Sequence, residues 1–313
     1  MCDNGGLHPN GAGWSAGMVL AGVPDDMRGT ARTPAAAHLF AVNEANPILL
    51  DEIAAKMFHR VVMQLQYLNQ RARPDLRTAI SFLCKRVTRP DEDDYKKLVR
   101  LVRYLDATQD MPLTLSVDDS GHLHWYVDAS FGVHHDMKSH TGGTLTMGKG
   151  SIYSTSAAQK IVARSSAEAE LVGVHDVMPQ MLWSLRFLKG QGFQVQGTIL
   201  YQDNKSAILL EKNGQASSSR RTRHILLRYY FVKEHVDNGT IRIEYCPTKA
   251  MKADYFTKPL QGSLFYEQRD DIMNLDPSSP YHSSHRSVLC EENCEQVSSG
   301  GDTTYLDTRN VGE

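Results

Sequence analysis

The sequence predicts an α/β protein: a small sheet with interspersed helices, preceded by a purely helical segment. Three observations predict it. Residues 123–130 and 240–245 alternate apolar and polar side chains, the pattern of half-buried strands. Residues 47–106 repeat apolar side chains at helical spacing. Beyond residue 116 the periodicities run three strands, helix, strand, helices, strand, helix.

The chain has 313 residues, enough for one large or two modest domains. Lys+Arg 34 against Asp+Glu 36 leaves a formal net charge of −2, so any surface for nucleic acid must be local. No apolar run reaches membrane-spanning length, and no membrane partner is expected. Met18-Val19-Leu20-Ala21 is too short and too poorly flanked for a secretory signal. The five cysteines are scattered without a framework, which points to a reducing interior. Nothing in the sequence specifies an oligomeric state.

Residues 1–30 are rich in Gly, Asn, Asp and Pro and are expected to form a disordered tail. Residues 31–115 read as a helical segment of three short helices. Their stripes are Ile53, Met57, Val61, Leu65 and Leu68; Leu76, Ile80, Leu83 and Val87; and Tyr95, Leu98, Val102 and Leu105. Arg73-Pro74-Asp75 and Arg89-Pro90-Asp91 each set Pro at a helix start with an acid behind it. Arg71, Arg73, Arg77, Lys85, Arg86 and Arg89 either track phosphates or line solvated helix faces. Asp118-Asp119-Ser120-Gly121 reads as a turn and not as a polymerase aspartate pair, because no matching acid set lies upstream.

In the first strand Trp125, Val127, Ala129 and Phe131 share one face, and Tyr126, Asp128 and Ser130 the other. An acid in mid-strand needs compensation, by a metal ion or by an Arg or Lys partner. Residues 141–147 and 151–154 are expected to complete an antiparallel meander around Gly148-Lys149-Gly150. Ser165 is a plausible N-cap of a long helix whose stripe is Leu171, Val174, Met178, Leu182 and Leu185. Glu168 and Glu170 flank that stripe on opposite sides, so helix geometry does not choose between them. Pro179 should kink this helix, at a cost of roughly 3 kcal/mol if unrelieved.

A strand over 198–203 ends in Asp203, and a helix begins at Asn204. Asp203 is either a ligand-facing acid at the sheet's carboxyl edge or a simple N-cap. A serine run feeds the basic cluster Arg220, Arg221, Arg223 with His224, and a helix follows to Val236. After the strand at 240–245 a short helix over 249–256 carries Asp254. Residues 276–313 are Ser-rich and are expected to be a disordered tail. Within that tail His282, His285, Cys290 and Cys294 have zinc-ligand chemistry but no common zinc-site spacing.

Four acids thus stand at the edges of one small unit: Asp128, Glu170, Asp203 and Asp254. If they converge, their repulsion must be neutralised by cations, and hard carboxylate oxygens suit Mg2+ or Mn2+. Lys205, Arg220, Arg221 and Arg223 supply local phosphate-binding charge.

The motifs 126–130, 137–143, Ser165-Ser166-Ala167-Glu168-Ala169-Glu170-Leu171, 201–208, Arg223-His224-Ile225 and 253–260 resemble the ribonuclease H domain of copia-type LTR retrotransposon polyproteins. Thr33-Pro34-Ala35, Arg73-Pro74-Asp75 and Leu101-Val102-Arg103-Tyr104-Leu105 are similar to the connection segment before that domain. The resemblance implies a ribonuclease H-like fold over 116–275, a five-stranded mixed sheet flanked by helices, with the connection segment at 31–115. It implies hydrolysis of the RNA strand of an RNA–DNA hybrid with two divalent ions, held by Asp128, Glu170, Asp203 and Asp254. It selects Glu170 over Glu168 and puts His224 beside the substrate, as a proton-transfer helper or an orienting histidine. Leu226 and the His-rich loop at 133–137 depart from the family pattern. The implied partner is the rest of the Pol polyprotein, and the implied location is cytoplasmic, in a virus-like particle, or nuclear. The competing expectation is a non-catalytic piece of such a polyprotein that folds and binds nucleic acid weakly.

Overall fold

The computed structural model describes residues 15–213 and 223–285. The first of them are not a tail. Helix α1 (Ala16–Ala21) is capped by Ser15 and buries Val19 and Leu20, and Met27 beyond it is fully buried. Arg28 and the Gly29 N–H both bind Asp106, which pins this segment to the helical bundle. The Gly- and Asp-rich flanks masked this apolar kernel in the sequence.

Three helices follow: α2 (Glu52–Arg71), α3 (Arg77–Arg86) and α4 (Glu92–Ala107). Asp51 and Asp91 cap the first and third of them, the latter through a reciprocal capping box with Asp94. Val61, Leu65, Ile80, Leu83, Leu98 and Val102 are fully buried, as their spacing predicts, whereas Ile53, at the start of the first stripe, is exposed. The basic residues here do not form one surface. Arg73 is buried and pairs in bidentate fashion with Asp75, Arg77 reaches Ser154, and Arg86 binds Asp91 and Asp94.

A two-residue strand, β1 (Ser116–Val117), precedes the Asp118 turn. The meander is β2 (His122–Ser130), β3 (His140–Thr146) and, after the brief β4 (Gly148–Lys149) that pairs with β1, β5 (Tyr153–Ala158). The last strand lies further along than expected, because its inward residues are Ser154 and Ser156 and hydropathy does not see them. Phe131, past the end of β2, is exposed.

Helix α5 (Ser166–Gly190) runs unbroken through Pro179. After it come β6 (Gly197–Gln202), α6 (Lys205–Asn213), α7 (Arg223–Asp237), β7 (Ile241–Tyr245) and the one-turn α8 (Asp254–Thr257). Helix α9 (Gly262–Met273) was not foreseen. The segment 276–285 folds back onto it, with the Ser283 N–H donating to Asp270 Oδ2 and Arg269 bonding the Tyr281 carbonyl.

The main sheet has the order β5-β3-β2-β6-β7. Its β5, β3 and β2 are antiparallel neighbours, while β6 and β7 run parallel to β2. This is the five-stranded mixed sheet flanked by helices that the family resemblance implies. One core lies between the sheet and α5 and α7, around Trp125, Val127, Leu171, Met178, Leu200 and Ile243. The second fills the helical segment and takes in Tyr255, Phe256, Phe265 and Met273 from α8 and α9. A boundary at residue 115 therefore does not separate two cores.

Candidate active site

The parallel pairing of β2 and β6 sets Tyr126 opposite Tyr201. Two residues further on, Asp128 and Asp203 stand level, and the two-residue strand period turns them to one face. Helix α5 crosses that face and brings Glu170 down from its first turns. One carboxylate oxygen from each of Asp128, Glu170 and Asp203 lies within 4.8 Å of the others. Asp128 and Glu170 are buried, and Asp203 is half-buried.

The alternatives left open by the sequence part here. Glu168 turns outward, and its carboxylate accepts the Arg164 N–H at 2.8 Å, a helix-start contact. Asn204, not Asp203, caps α6, accepting from the N–H groups of Ser206 and Ala207. Asp203 is thereby free of capping and accepts instead from Thr248 Oγ1 at 2.9 Å.

Asp254 adjoins the three acids without joining them. Lys258 links the two sides: its Nζ lies 2.7 Å from Asp254 Oδ1 and 3.6 Å from Asp128 Oδ2. Thr257 Oγ1 donates to Asp128 Oδ2 at 2.6 Å. These contacts exist because α8 sits hard against β3 at Gly142, which faces Asp128 across the β2–β3 ladder. A Cβ on Gly142 would meet Thr257 Cγ2 at 2.6 Å and the Ala253 carbonyl at 2.8 Å. Lys258, Thr257 and Thr248 were not singled out from the sequence, although Lys258 stands one helical turn after Asp254, the usual spacing of a helix ion pair.

The electrostatics are those of crowded acids. Burial, then Asp128 and Asp203, push the Glu170 carboxyl well above its ordinary range. Burial and Asp128 likewise raise Asp254, and Lys258 partly offsets them. Glu170 Oε2 is buried and has no hydrogen-bond partner among the described residues. A cluster of hard oxygens containing an orphaned carboxylate oxygen fits a hard divalent cation. The cleft around it, of about 480 Å³, is also lined by Ser130, Ser166 and Lys258.

Of the other expected residues in this domain, only Lys205 has a described side chain, and it does not line the acid cleft. Lys205 is exposed, with its ammonium 5.0 Å from the Tyr245 ring centroid. Arg220 and Arg221 lie outside the described residues, as do Cys290 and Cys294. Arg223 and His224 open α7, but their side chains are outside the described set. His282 and His285 bond Ser284 and the Pro277 carbonyl. Among the described residues no helix is long and apolar enough to cross a membrane.

No family model matches the chain. It is 32% identical over 225 residues to the retrovirus-related Pol polyprotein from transposon RE2 of Arabidopsis thaliana, covering 71% of this chain and 15% of that polyprotein. It is 30% identical over 237 residues to the corresponding polyprotein from transposon TNT 1-94 of Nicotiana tabacum, covering 74% and 18%. The chain therefore spans less than a fifth of the length of these curated relatives. Among solved structures, ribonuclease H1 from the archaeon Halobacterium salinarum is 16% identical, with 43% of this chain and 93% of that one covered and a TM-score of 0.31. The observed sheet order and strand directions fit a ribonuclease H-like α/β fold.

Proposed function

We infer, for a chain whose homologues are retrovirus-related Pol polyproteins of plant transposons, that it is the ribonuclease H portion of a copia-type polyprotein and cuts the RNA strand of RNA–DNA hybrids. The observation that carries this reading is the meeting of Asp128, Glu170 and Asp203 from three separate elements at one sheet edge. With Asp254 adjoining, these residues would hold two divalent ions, Mg2+ or Mn2+ in its place. Such ions, when bound, stabilise the attacking and leaving oxygens of an in-line phosphoryl displacement.

The chain's own groups prepare the site. Thr257 and Thr248 orient Asp128 and Asp203 by hydrogen bonds. The Glu170 carboxyl, pushed up by burial and then by Asp128 and Asp203, would be brought back toward its ionised form by a bound cation. Lys205, Arg220, Arg221 and Arg223 are assigned to the substrate's phosphates, and His224 to proton transfer beside it. Contacts to 2′-hydroxyls select RNA over DNA.

The test is cleavage of a labelled RNA–DNA hybrid in Mg2+. Asp203→Asn should lower the rate by at least about 100-fold, the scale of losing one electrostatic stabiliser of a transition state. Equal cutting by wild type and variant would overturn the assignment. One observation favours a second reading, a non-catalytic piece that binds nucleic acid: the Lys258 ammonium already neutralises part of the acid cluster. Hybrid binding without turnover at any Mg2+ concentration would establish it.

A further inference from the structure

A cleft of about 840 Å³, larger than the one at the acids, lies between the N-terminal segment and α4. Arg32 lines one wall, and Lys96, Arg100 and Arg103 line the other, with Asp26 and Tyr95 between them. Lys96, Arg100 and Arg103 are four and three residues apart, so one helix face presents all of them.

Elsewhere in the helical segment Arg28 is paired with Asp106, Arg73 with Asp75, and Arg86 with Asp91 and Asp94, while Arg60 and Arg77 bond the Gly22 carbonyl and the Ser154 hydroxyl singly. The cleft differs in gathering several such cations along one wall. Arg100 donates through Nε and a terminal nitrogen to the Thr33 carbonyl and hydroxyl, at 3.2 and 2.7 Å. Arg103 donates to the Asp26 backbone carbonyl at 3.1 Å. Two guanidinium groups are thus held in place by neutral oxygens, which orient them and leave their charge uncancelled. Among the described residues none of the four cations forms an ion pair with a carboxylate. The lining acid, Asp26, accepts from the Tyr95 hydroxyl. Four cations and one acid, with preset donors, suit a multiply charged oxyanion.

The cleft is tied to the acid site through few bonds. Thr33, which holds Arg100, also contacts Gln261 Oε1, and Gln261 Nε2 donates to the Ala35 carbonyl. Gln261 lies three residues from Lys258, a reach of at most about 10 Å of backbone.

We propose that this cleft binds consecutive phosphates of a nucleic-acid strand. The proposal rests on the nucleic-acid reading above only for the source of those phosphates. The variant that tests it is Arg32→Gln with Lys96→Gln, because both side chains are exposed and neither anchors a neighbouring segment. Binding of a fluorescent RNA–DNA hybrid, in chelator so that it is not cut, is measured against salt. Losing two phosphate contacts should flatten the slope of log K against log salt by about 2 and weaken binding roughly 10- to 100-fold near 50 mM salt. An Arg242→Gln control, whose side chain pairs with Glu244, should leave the slope unchanged.

An unaltered slope in the double variant overturns the proposal. So does calorimetric binding of inorganic phosphate that the variant loses while hybrid binding stays intact, since the cleft is then a small-anion site. If the hybrid is cut in Mg2+ but the slope does not change, only the cleft assignment fails. If the wild type neither binds nor cuts the hybrid, both readings fail together.

Discussion

Lys258 is the residue on which the acid cluster is balanced. Its ammonium stands where a cation's charge would otherwise be required, 2.7 Å from Asp254 and 3.6 Å from Asp128. Two unit charges at about 4 Å interact by about 4 kcal/mol at an effective dielectric constant of 20, and the lysine's partial exposure reduces this further. Lys258→Met should therefore tighten Mg2+ or Mn2+ binding by about 3- to 10-fold while lowering the melting temperature of the metal-free protein. Titration calorimetry gives the first quantity and thermal denaturation the second. A metal affinity that stays the same would show that the lysine does not compete for the site. The acids were legible in the sequence as residue types. Lys258 was not, because its importance comes from Asp128, which is 130 residues away in the chain and adjacent in space.

Among the elements, α8 has the most constrained seat. On one side it touches β3 at Gly142. On the other, Thr78 Oγ1 donates to the Tyr255 carbonyl, and the Tyr255 hydroxyl donates to the Asp75 carbonyl. Because two of the nearest atoms to a Gly142 Cβ are backbone, α8 itself would have to move. Gly142→Ala is expected to cost about 1–3 kcal/mol of stability, as overpacking does, and to slow cleavage by separating Thr257 from Asp128. Gly143→Ala meets two side-chain methyls at 3.2 and 3.4 Å and the Tyr126 carbonyl only at 3.6 Å, and serves as the mild control in a denaturant titration. The long helices were legible because their apolar stripes are regular. Helix α9 was not, since a buried Arg269–Asp270 pair interrupts its stripe. Strand β5 was displaced for a related reason: its buried positions are serines, and Ser156 bonds His140.

For the molecule as a whole, buried ionisable groups set a narrow pH range of stability. Burial pushes Glu211 on α6 up to about 8, and among the described residues neither of its carboxylate oxygens has a hydrogen-bond partner. Between its ordinary value and 8 the folded state binds the extra proton, so stability falls as pH rises. His134, hydrogen-bonded to His140 at 2.9 Å, is pushed the other way by burial, down to about 4. Below its ordinary value of 6.5 the unfolded chain binds the extra proton, so stability falls as pH drops. Glu211 should then contribute a decline of up to about 2 kcal/mol from pH 6.5 to 8, which Glu211→Gln removes, while the raised Glu170 and Asp254 carboxyls add a decline that this variant keeps. Melting temperatures of both proteins across this range provide the check, and parallel curves would refute it.

The sequence by itself determined the α/β class, the three connecting helices, the alternation that turns Asp128 away from Trp125, and the chemistry of the four acids. Each of these is a statement about an element and its own side chains, which local periodicity encodes. Only the tertiary structure brought Glu170, which periodicity had not separated from Glu168 and the resemblance alone had selected, to Asp128 and Asp203; it alone decided that Asn204 relieves Asp203 of capping and that α8 and α9 complete the helical core. It alone showed that Arg100 and Arg103 on α4 are held by neutral oxygens. Periodicity reports which way a side chain points from its own backbone, whereas what it meets there depends on packing between segments far apart in the chain.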